Sequence, residues 1–168
     1  MKKIMIVDDN YLSAEGIEKN IDWETLNAEI IHVCYNGTSA IEAMKKEPAD
    51  LIISDIEMPD LDGISMSRQA LEINPMVKII LISAYDKFEY ARRALLLGAL
   101  DYIEKPLDYA YLIQKVKNAF ALMEKEQKNL QLLKQSRPLL TEKFFREITH
   151  LPSSEAAYRL KPYLKYLN

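Results

Sequence analysis

The stretch MIVDDN, residues 5–10, places three apolar residues directly before two neighbouring carboxylates. The apolar run is typical of the end of a buried strand. Asp8 and Asp9 repel each other, and a local fold gains nothing from placing two like charges side by side. We therefore predict that this strand end concentrates negative charge for a cation.

The composition indicates a globular chain without disulfides. It has 168 residues, 49% hydrophobic and 28% charged, so it can bury a core and stay dissolved. This length predicts one domain with an extension, or two small domains. The single cysteine, Cys34, fits a reducing cytoplasm. No apolar stretch approaches the roughly 20 residues that span a bilayer, so we expect a cytoplasmic protein without membrane contact.

The charges are divided unevenly along the chain. Residues 1–106 carry 11 Lys+Arg against 19 Asp+Glu, a net charge of −8, whereas residues 107–168 carry 11 against 6, a net charge of +5. A basic tail can bind nucleic acid. Here the lysines are spread along helical patterns and interleaved with glutamates such as Glu124 and Glu126. We expect no DNA binding by this chain itself.

The first two-thirds of the chain alternates short β-branched runs with amphipathic helical patterns. The predicted strands are residues 4–7, 30–34, 51–54, 77–82 and 101–104. The predicted helices are residues 11–20, 38–46, 64–73 and 86–97, with Thr38 as the cap of the second. This alternation favours a parallel sheet covered by helices on both faces, with right-handed crossovers.

The pattern changes after Pro106, where no further strand is predicted. Asp108 is predicted to cap a long helix that begins near Tyr109. The helix carries a heptad stripe at positions 109, 112, 116, 119, 123, 126, 130 and 133, which is apolar except for Glu126. One domain is too short to cover this stripe, so we expect a homodimer through the helix. In the competing arrangement, the helices after Pro138 fold back over the stripe.

Prolines divide the C-terminal region. Pro138 is predicted to end or kink the long helix, Thr141 to cap the next one, and Pro152 to mark a further boundary. We assign residues 1–125 to one domain and residues 126–168 to a helical extension.

Polar side chains follow four of the five predicted strands. Asp8 and Asp9 follow the first, Asp55 the third, Ser83 the fourth and Lys105 the fifth. In an open parallel sheet, ligands bind beyond the carboxyl ends of the strands, where the strand order reverses. With the order 2-1-3-4-5, the first and third strands are neighbours. The three carboxylates then surround one small volume, with the hydroxyl and the lysine at its edge.

These groups suit phosphoryl transfer. Oxygen ligands without histidine favour Mg²⁺ or Mn²⁺ over zinc. Acids, a divalent cation, a lysine and a hydroxyl are what phosphoryl transfer needs, because that chemistry depends on positioning and charge neutralisation. Asp55 is central and is followed by a loop. It is therefore the candidate to accept a phosphoryl group as an acyl phosphate.

The motifs IVDDN, SDIEMPDLDG, ISAYD and KPLD resemble, in order and spacing, the receiver domain of two-component response regulators, over residues 1 to about 125. The resemblance implies a flavodoxin-like α/β fold and phosphorylation of Asp55 by a sensor histidine kinase. It implies that Asp9 binds Mg²⁺ directly, that Asp8 assists, and that the main-chain carbonyl of Glu57 is a further ligand.

The resemblance also assigns a conformational switch. It implies that Ser83 is the switch hydroxyl, Tyr102 the switch aromatic residue, and Lys105 the cation that recognises the new charge. The Lys105–Pro106 bond is often cis in the family, and Glu57 and Tyr85 occupy positions that tune dephosphorylation.

Further segments are similar to AraC-type regulators of Gram-positive bacteria. They are AYDKFEYARRALLLGALDYIEKPLD and SRPLLTEKFFREITHLPSSEAAYRL. This similarity implies the front portion of a longer transcription regulator, which contacts DNA only through a domain outside this sequence.

We interpret the chain as a signalling module that is not itself an enzyme. Two other classes of protein are alternatives to this interpretation. A Mg²⁺-dependent aspartyl-phosphate phosphatase of the haloacid dehalogenase type needs its nucleophile after the first strand and a second aspartate two places on. The chain has Asp8-Asp9-Asn10 there, which does not fit. A flavin-binding flavodoxin is disfavoured because carboxylates at the strand ends would repel the phosphate of a flavin when no metal ion is bound.

Overall fold

The computed structural model describes residues 1–84 and 99–148, with side chains described as far as residue 132. Its sheet has five strands, β1 (Lys2–Val7), β2 (Ala28–Cys34), β3 (Leu51–Asp55), β4 (Lys78–Ser83) and β5 (Asp101–Glu104). They lie in the order β2-β1-β3-β4-β5, and every neighbouring pair is parallel. The predicted fold class and strand order are confirmed.

The strand register places the functional side chains at one edge of the sheet. Val7, the last residue of β1, lies opposite Cys34 of β2 and Ser54 of β3. Asp8 and Asp55 each come directly after one of these paired residues. The two carboxylates are therefore neighbours across the gap between β1 and β3.

Four helices are described, α1 (Tyr11–Asn20), α2 (Gly37–Lys46), α3 (Gly63–Ile73) and α4 (Tyr109–Ile148). The predicted cap of α4 is confirmed, because Asp108 Oδ1 accepts hydrogen bonds from the backbone N–H groups of Ala110 and Tyr111 at 2.8 and 3.2 Å. None of the described helices is both long and apolar enough to cross a membrane. The predicted helix at 86–97, Tyr85 and the boundary at Pro152 lie outside the described residues.

Thr38 does not cap α2. The helix begins at Gly37, and Asn36 is its N-cap, with Asn36 Oδ1 accepting a hydrogen bond from Ser39 N–H at 2.8 Å. Asparagine is preferred over threonine at this position. The helix can begin at Gly37 because glycine has no Cβ. A Cβ at this position would lie 2.5 Å from the carbonyl oxygen of Leu61.

Pro138 does not end α4, which continues to Ile148, and Thr141 therefore does not cap a separate helix. A proline inside a helix removes one backbone hydrogen bond and costs roughly 3 kcal/mol. The flanking sequence, LQLLKQSR before it and LLTEKFFRE after it, is rich in strong helix formers. We attribute the continuity of the helix to these residues.

The core packs against both faces of the sheet. On one face, Met5 and Val7 of β1 belong to a buried cluster with Met44 of α2 and Met66 of α3. Because side chains alternate along a strand, Ile4 and Ile6 point to the other face. Both are also fully buried. The sheet is therefore covered on both sides, as predicted for parallel strands.

The chain divides into two compact units, Met1–Leu122 and Met123–Asn168. The division falls within α4. The first unit contains the whole sheet and every side chain of the candidate site.

Candidate functional site

Three carboxylates meet at the carboxyl end of the sheet. Asp8 follows β1, Asp9 follows Asp8, and Asp55 ends β3. Each offers one oxygen, and these oxygens lie within 4.8 Å of one another. Asp8 and Asp55 are buried, whereas Asp9 is exposed. The predicted convergence is present, and it is open to solvent on the side of Asp9.

Lys105 connects two of these carboxylates. Its Nζ donates hydrogen bonds to Asp55 Oδ2 at 2.7 Å and to Asp8 Oδ2 at 3.1 Å. Its backbone N–H donates to the carbonyl oxygen of Ser83 at 2.8 Å, which ties the end of β5 to the end of β4. The peptide bond from Lys105 to Pro106 is cis. The lysine is thus held at its backbone and places its charge against the acids.

The charges are only partly balanced. Burial raises the pKa of Asp8, and the nearby charge of Asp55 adds to this, although hydrogen bonds from Asn10 and Lys105 oppose it. For Lys105, burial lowers the pKa, but the hydrogen bonds and charges of Asp55 and Asp8 outweigh it and raise the pKa overall. The lysine is therefore charged at neutral pH, while burial makes the ionised form of Asp8 energetically costly.

The other predicted site residues lie at the same edge or next to it. Ser83 is the last residue of β4 and is fully buried. The backbone N–H of Glu57 donates to Asp55 Oδ1 at 3.3 Å. Tyr102 lies in β5, opposite Leu81 of β4, and packs half-buried against the core.

Asn10 has two structural roles that the sequence analysis missed. Its backbone N–H donates to Asp8 Oδ1 at 2.9 Å, and its side-chain Oδ1 accepts from Leu12 N–H at 3.0 Å as the N-cap of α1. It therefore orients the Asp8 carboxylate and starts the helix. An asparagine directly before a helical pattern is the signal that identifies such a cap.

Gly63, at the start of α3, was also missed as a site residue. A Cβ on Gly63 would lie 2.1 Å from the carbonyl oxygen of Asp55, a distance at which the backbone must move. The Gly63 N–H donates to the carbonyl oxygen of Ile56 at 2.9 Å. Asp62 caps the same helix. The Asp-Gly pair before a helical pattern is the visible signal of this tight turn.

The donor set fits a hard divalent cation. It consists of carboxylate oxygens only, contributed by Asp8, Asp9 and Asp55. Oxygen ligands of this kind suit Mg²⁺ better than zinc or copper. One lysine faces three acids, so a cation bound there would relieve repulsion that remains in its absence.

A family model of the response regulator receiver domain matches residues 4–117. The chain therefore belongs to the response regulator receiver domain family. The uncharacterized transcriptional regulatory protein YesN of Bacillus subtilis (strain 168) is 29% identical over 126 residues, which cover 75% of this chain and 34% of YesN. The chain thus spans about a third of the length of that relative.

Solved structures show the same family. The receiver domain of AraT, a response regulator from Geobacillus stearothermophilus, is 34% identical with a TM-score of 0.71, over 75% of this chain and 98% of that chain. A two-component transcriptional regulator AraC from Clostridium phytofermentans ISDg is 30% identical with a TM-score of 0.68, over 77% and 99%. The predicted family and the likeness to AraC-type regulators are confirmed. These matches do not support the phosphatase alternative.

Proposed function

We propose that this chain is a phosphoacceptor switch, and that a sensor histidine kinase phosphorylates Asp55 in a reaction that depends on Mg²⁺. The observation that carries the proposal is the position of Asp55. Its carboxylate lies in the three-acid cluster and contacts Lys105 at 2.7 Å. Membership of the receiver family supports this role.

The proposed step is a phosphoryl transfer between two side chains. A carboxylate oxygen of Asp55 forms a bond to phosphorus as the P–N bond of the donor's phosphohistidine breaks. The donor imidazole leaves with the electron pair and takes a proton from solvent. The product at Asp55 is an acyl phosphate. The hydrogen bond from Glu57 N–H to Asp55 Oδ1 helps to hold the carboxylate in one orientation.

Asp8, Asp9 and Asp55 would hold the metal ion, together with the main-chain carbonyl of Glu57. When bound, Mg²⁺ supplies positive charge that offsets the negative charge of the phosphoryl oxygens. Lys105, directly after β5 at the same edge of the sheet, adds a second positive charge, and its Nζ lies 2.7 Å from Asp55 Oδ2.

Phosphorylation is proposed to shift a two-state equilibrium. The added charge on Asp55 keeps Lys105 in contact and favours the approach of the Ser83 hydroxyl, which lies at the end of the neighbouring strand. The shift of Ser83 then frees Tyr102 to turn inward. In this account the chain is not an enzyme with turnover, although it assists its own phosphorylation and dephosphorylation.

The proposed output is transcription, controlled through dimerisation of the chain. YesN is named a transcriptional regulatory protein and the Clostridium protein a transcriptional regulator, which supports a role in transcription. DNA would be contacted through a further domain of a longer protein. The helix α4 is the proposed dimer contact.

Incubation with acetyl phosphate and Mg²⁺, followed by intact mass measurement, tests the proposal without a kinase. The wild type is expected to gain one phosphoryl group, and Asp55→Asn none while keeping its fold. Asp9→Ala is expected to need more Mg²⁺, because it removes a direct ligand. Full labelling of Asp55→Asn would contradict the assignment, and continuous hydrolysis of assorted phosphate esters would support the phosphatase.

A further inference from the structure

Tyr11 and Tyr35 form an exposed aromatic pair next to the three-acid cluster. Tyr11 is the first residue of α1, and Tyr35 directly follows β2. Their ring centroids are 5.5 Å apart, with the planes tilted by 36°. The two residues remain 57% and 43% exposed. Each ring therefore keeps surface that a ligand can contact.

The pair lies at the same edge of the sheet as the acceptor. Tyr11 stands two positions after Asp9 in the turn that begins α1. Tyr35 follows Cys34, whose carbonyl oxygen accepts a hydrogen bond from Asp8 N–H at 3.1 Å. A protein that delivers a phosphoryl group to Asp55 approaches this edge, where both rings are exposed.

The surroundings of the pair are negatively charged. Tyr11, Glu15 and Glu18 are spaced to share one face of α1. Desolvation, and then the charges of Tyr11, Glu18 and Glu15, raise the pKa of Tyr35, so both acids act electrostatically on that side chain. Glu15 is paired with Lys19. Glu18 is exposed, and among the described side chains of residues 1–84 and 99–132 it forms no ion pair.

We propose that Tyr11, Tyr35 and Glu18 form a recognition site for an arginine side chain of the protein that donates the phosphoryl group; this inference rests on the proposed function. Ring faces attract cations, and a guanidinium group can stack on a ring while donating hydrogen bonds to a carboxylate. Lysine lacks the planar group that would do both. The net charge of −8 over residues 1–106 favours a basic partner surface.

The test uses the full chain and two small probes that differ only in charge. N-acetyl-arginine amide is titrated against N-acetyl-citrulline amide, its neutral isostere, while NMR follows the ring signals of Tyr11 and Tyr35. Mg²⁺ is kept saturating, so that the probe does not bind at the three acids. We expect saturable shifts with arginine and binding of citrulline that is weaker by about threefold to fivefold.

Variants locate the binding. Tyr35→Leu and Glu18→Gln are expected to lose the preference for arginine, whereas Glu24→Gln, which removes an exposed charge in the loop after α1, is expected to keep it. Equal binding of the two probes, or an unchanged preference in Tyr35→Leu, would overturn the site. So would shifts confined to the signals of Asp8, Asp9 and Asp55.

The same samples separate this inference from the proposed function. Wild-type chain that acetyl phosphate labels but that shows no arginine preference overturns the aromatic site alone. Wild-type chain that fails to be labelled contradicts the phosphoacceptor role, and with it the assignment of the partner as a phosphoryl donor.

Discussion

Asp8 is a side chain whose charge the fold accommodates poorly. It is almost fully buried beside Asp55, and its contacts are the backbone N–H of Asn10 and the ammonium group of Lys105. These contacts do not fully offset its burial, which raises its pKa. The site therefore keeps an electrostatic cost that a bound cation would relieve, so stability and the proposed metal binding oppose each other at this residue.

Asp8→Asn is expected to stabilise the chain at about pH 7. Because the folded-state pKa lies above the ordinary 3.8, this carboxyl contributes most to stability below 3.8, and the contribution is lost as pH rises through the folded value. The variant should melt about 2–4 °C higher near pH 7, an advantage that shrinks as pH falls towards about 4. Asp9→Asn, at an exposed position, is the control and should change the melting temperature little. A lower melting temperature for Asp8→Asn near pH 7 would contradict this account.

Lys105→Ala is expected to act in the opposite direction. It leaves two buried carboxylates without their cation, at a cost of about 1–3 kcal/mol in the free energy of unfolding. Mg²⁺ should restore more stability to this variant than to the wild type. Lys115→Ala removes a 2.7 Å ion pair with Asp101 outside the site, and it should cost less than about 1 kcal/mol. Denaturant titrations with and without Mg²⁺ make the comparison, and equal losses in the two variants would refute it.

The same variant tests the switch. Lys105→Ala should still be labelled by acetyl phosphate, but labelling should no longer change the environment of Tyr102 as followed by NMR. A phosphorylated variant that shows the wild-type change would remove Lys105 from the switch.

At the scale of the elements, the turn from β3 to α3 packs closely against the backbone of Asp55, the proposed phosphoacceptor. Asp55 ends the strand, and Gly63, the first residue of the helix, lies against its carbonyl oxygen. Asp60 within the turn has a positive φ of 66°. The turn thus returns onto the backbone of Asp55, the proposed phosphoacceptor.

Gly63→Ala is expected to destabilise the chain and slow its labelling by acetyl phosphate. At an open site in a helix, the change from glycine to alanine stabilises by about 0.5–1 kcal/mol. Here the new Cβ would meet a backbone oxygen, so we expect the sign to reverse, with a loss of about 1–3 kcal/mol. Gln69→Ala, on the exposed face of α3, is the control and should be nearly neutral. A stabilised Gly63→Ala variant that is labelled at the wild-type rate would contradict the role of this contact.

Sequence patterns predict an element correctly where one local signal dominates. They fail where two local signals compete. The predicted β5 agrees residue for residue with the structure, because Gly98 and Pro106 bound a short run that includes Tyr102 and Ile103. The start of α2 was misplaced because Asn36 and Thr38 are both acceptable N-caps in the sequence. In the structure Asn36 is the cap and Gly37 the first helical residue, and Gly37 leaves room for the nearby carbonyl oxygen of Leu61. Pro138 was predicted to end or kink α4, and the predicted end is wrong because a local helix breaker competes with a long stretch of helix formers. Neither the proline nor the flanking stretch shows by itself which of the two effects is stronger.

The site was predicted more completely than the element boundaries. Asp8, Asp55 and Lys105 follow strand ends, and parallel register aligns such ends without further information. The sequence did not predict the hydrogen bond from Lys105 to Asp8 or the close approach of Gly63 to the carbonyl oxygen of Asp55. Both depend on the placement of atoms that the spacing of residues along the chain does not specify.

At the scale of the whole molecule, α4 belongs to both compact units, because the division after Leu122 falls within this helix. Leu112, Val116 and Ala119 of its stripe are buried in the first unit. Leu130, further along the same stripe, is 46% exposed. An apolar stripe that continues past the residues it packs against is suited to pairing with a second copy of the helix.

Leu130→Glu is therefore expected to weaken dimerisation of the full chain by about tenfold or more, because it places a charge within the proposed contact. Leu132→Glu is the matched control, since Leu132 is also exposed but lies off the stripe. Sedimentation velocity over a range of concentrations compares the variants. A wild-type chain that stays monomeric at all concentrations, with and without labelling, would contradict the dimer and favour covering of the stripe within one chain.

The most direct test of the central claim is to locate the acyl phosphate chemically. After incubation with acetyl phosphate and Mg²⁺, borohydride reduces an acyl phosphate to an alcohol and converts the modified aspartate to homoserine, which peptide mass spectrometry locates. The account predicts homoserine in place of Asp55 only, and none after Mg²⁺ is chelated or in Asp55→Asn. Homoserine in place of Asp8 or Asp9, or a labelled wild type without homoserine at any aspartate, would contradict it.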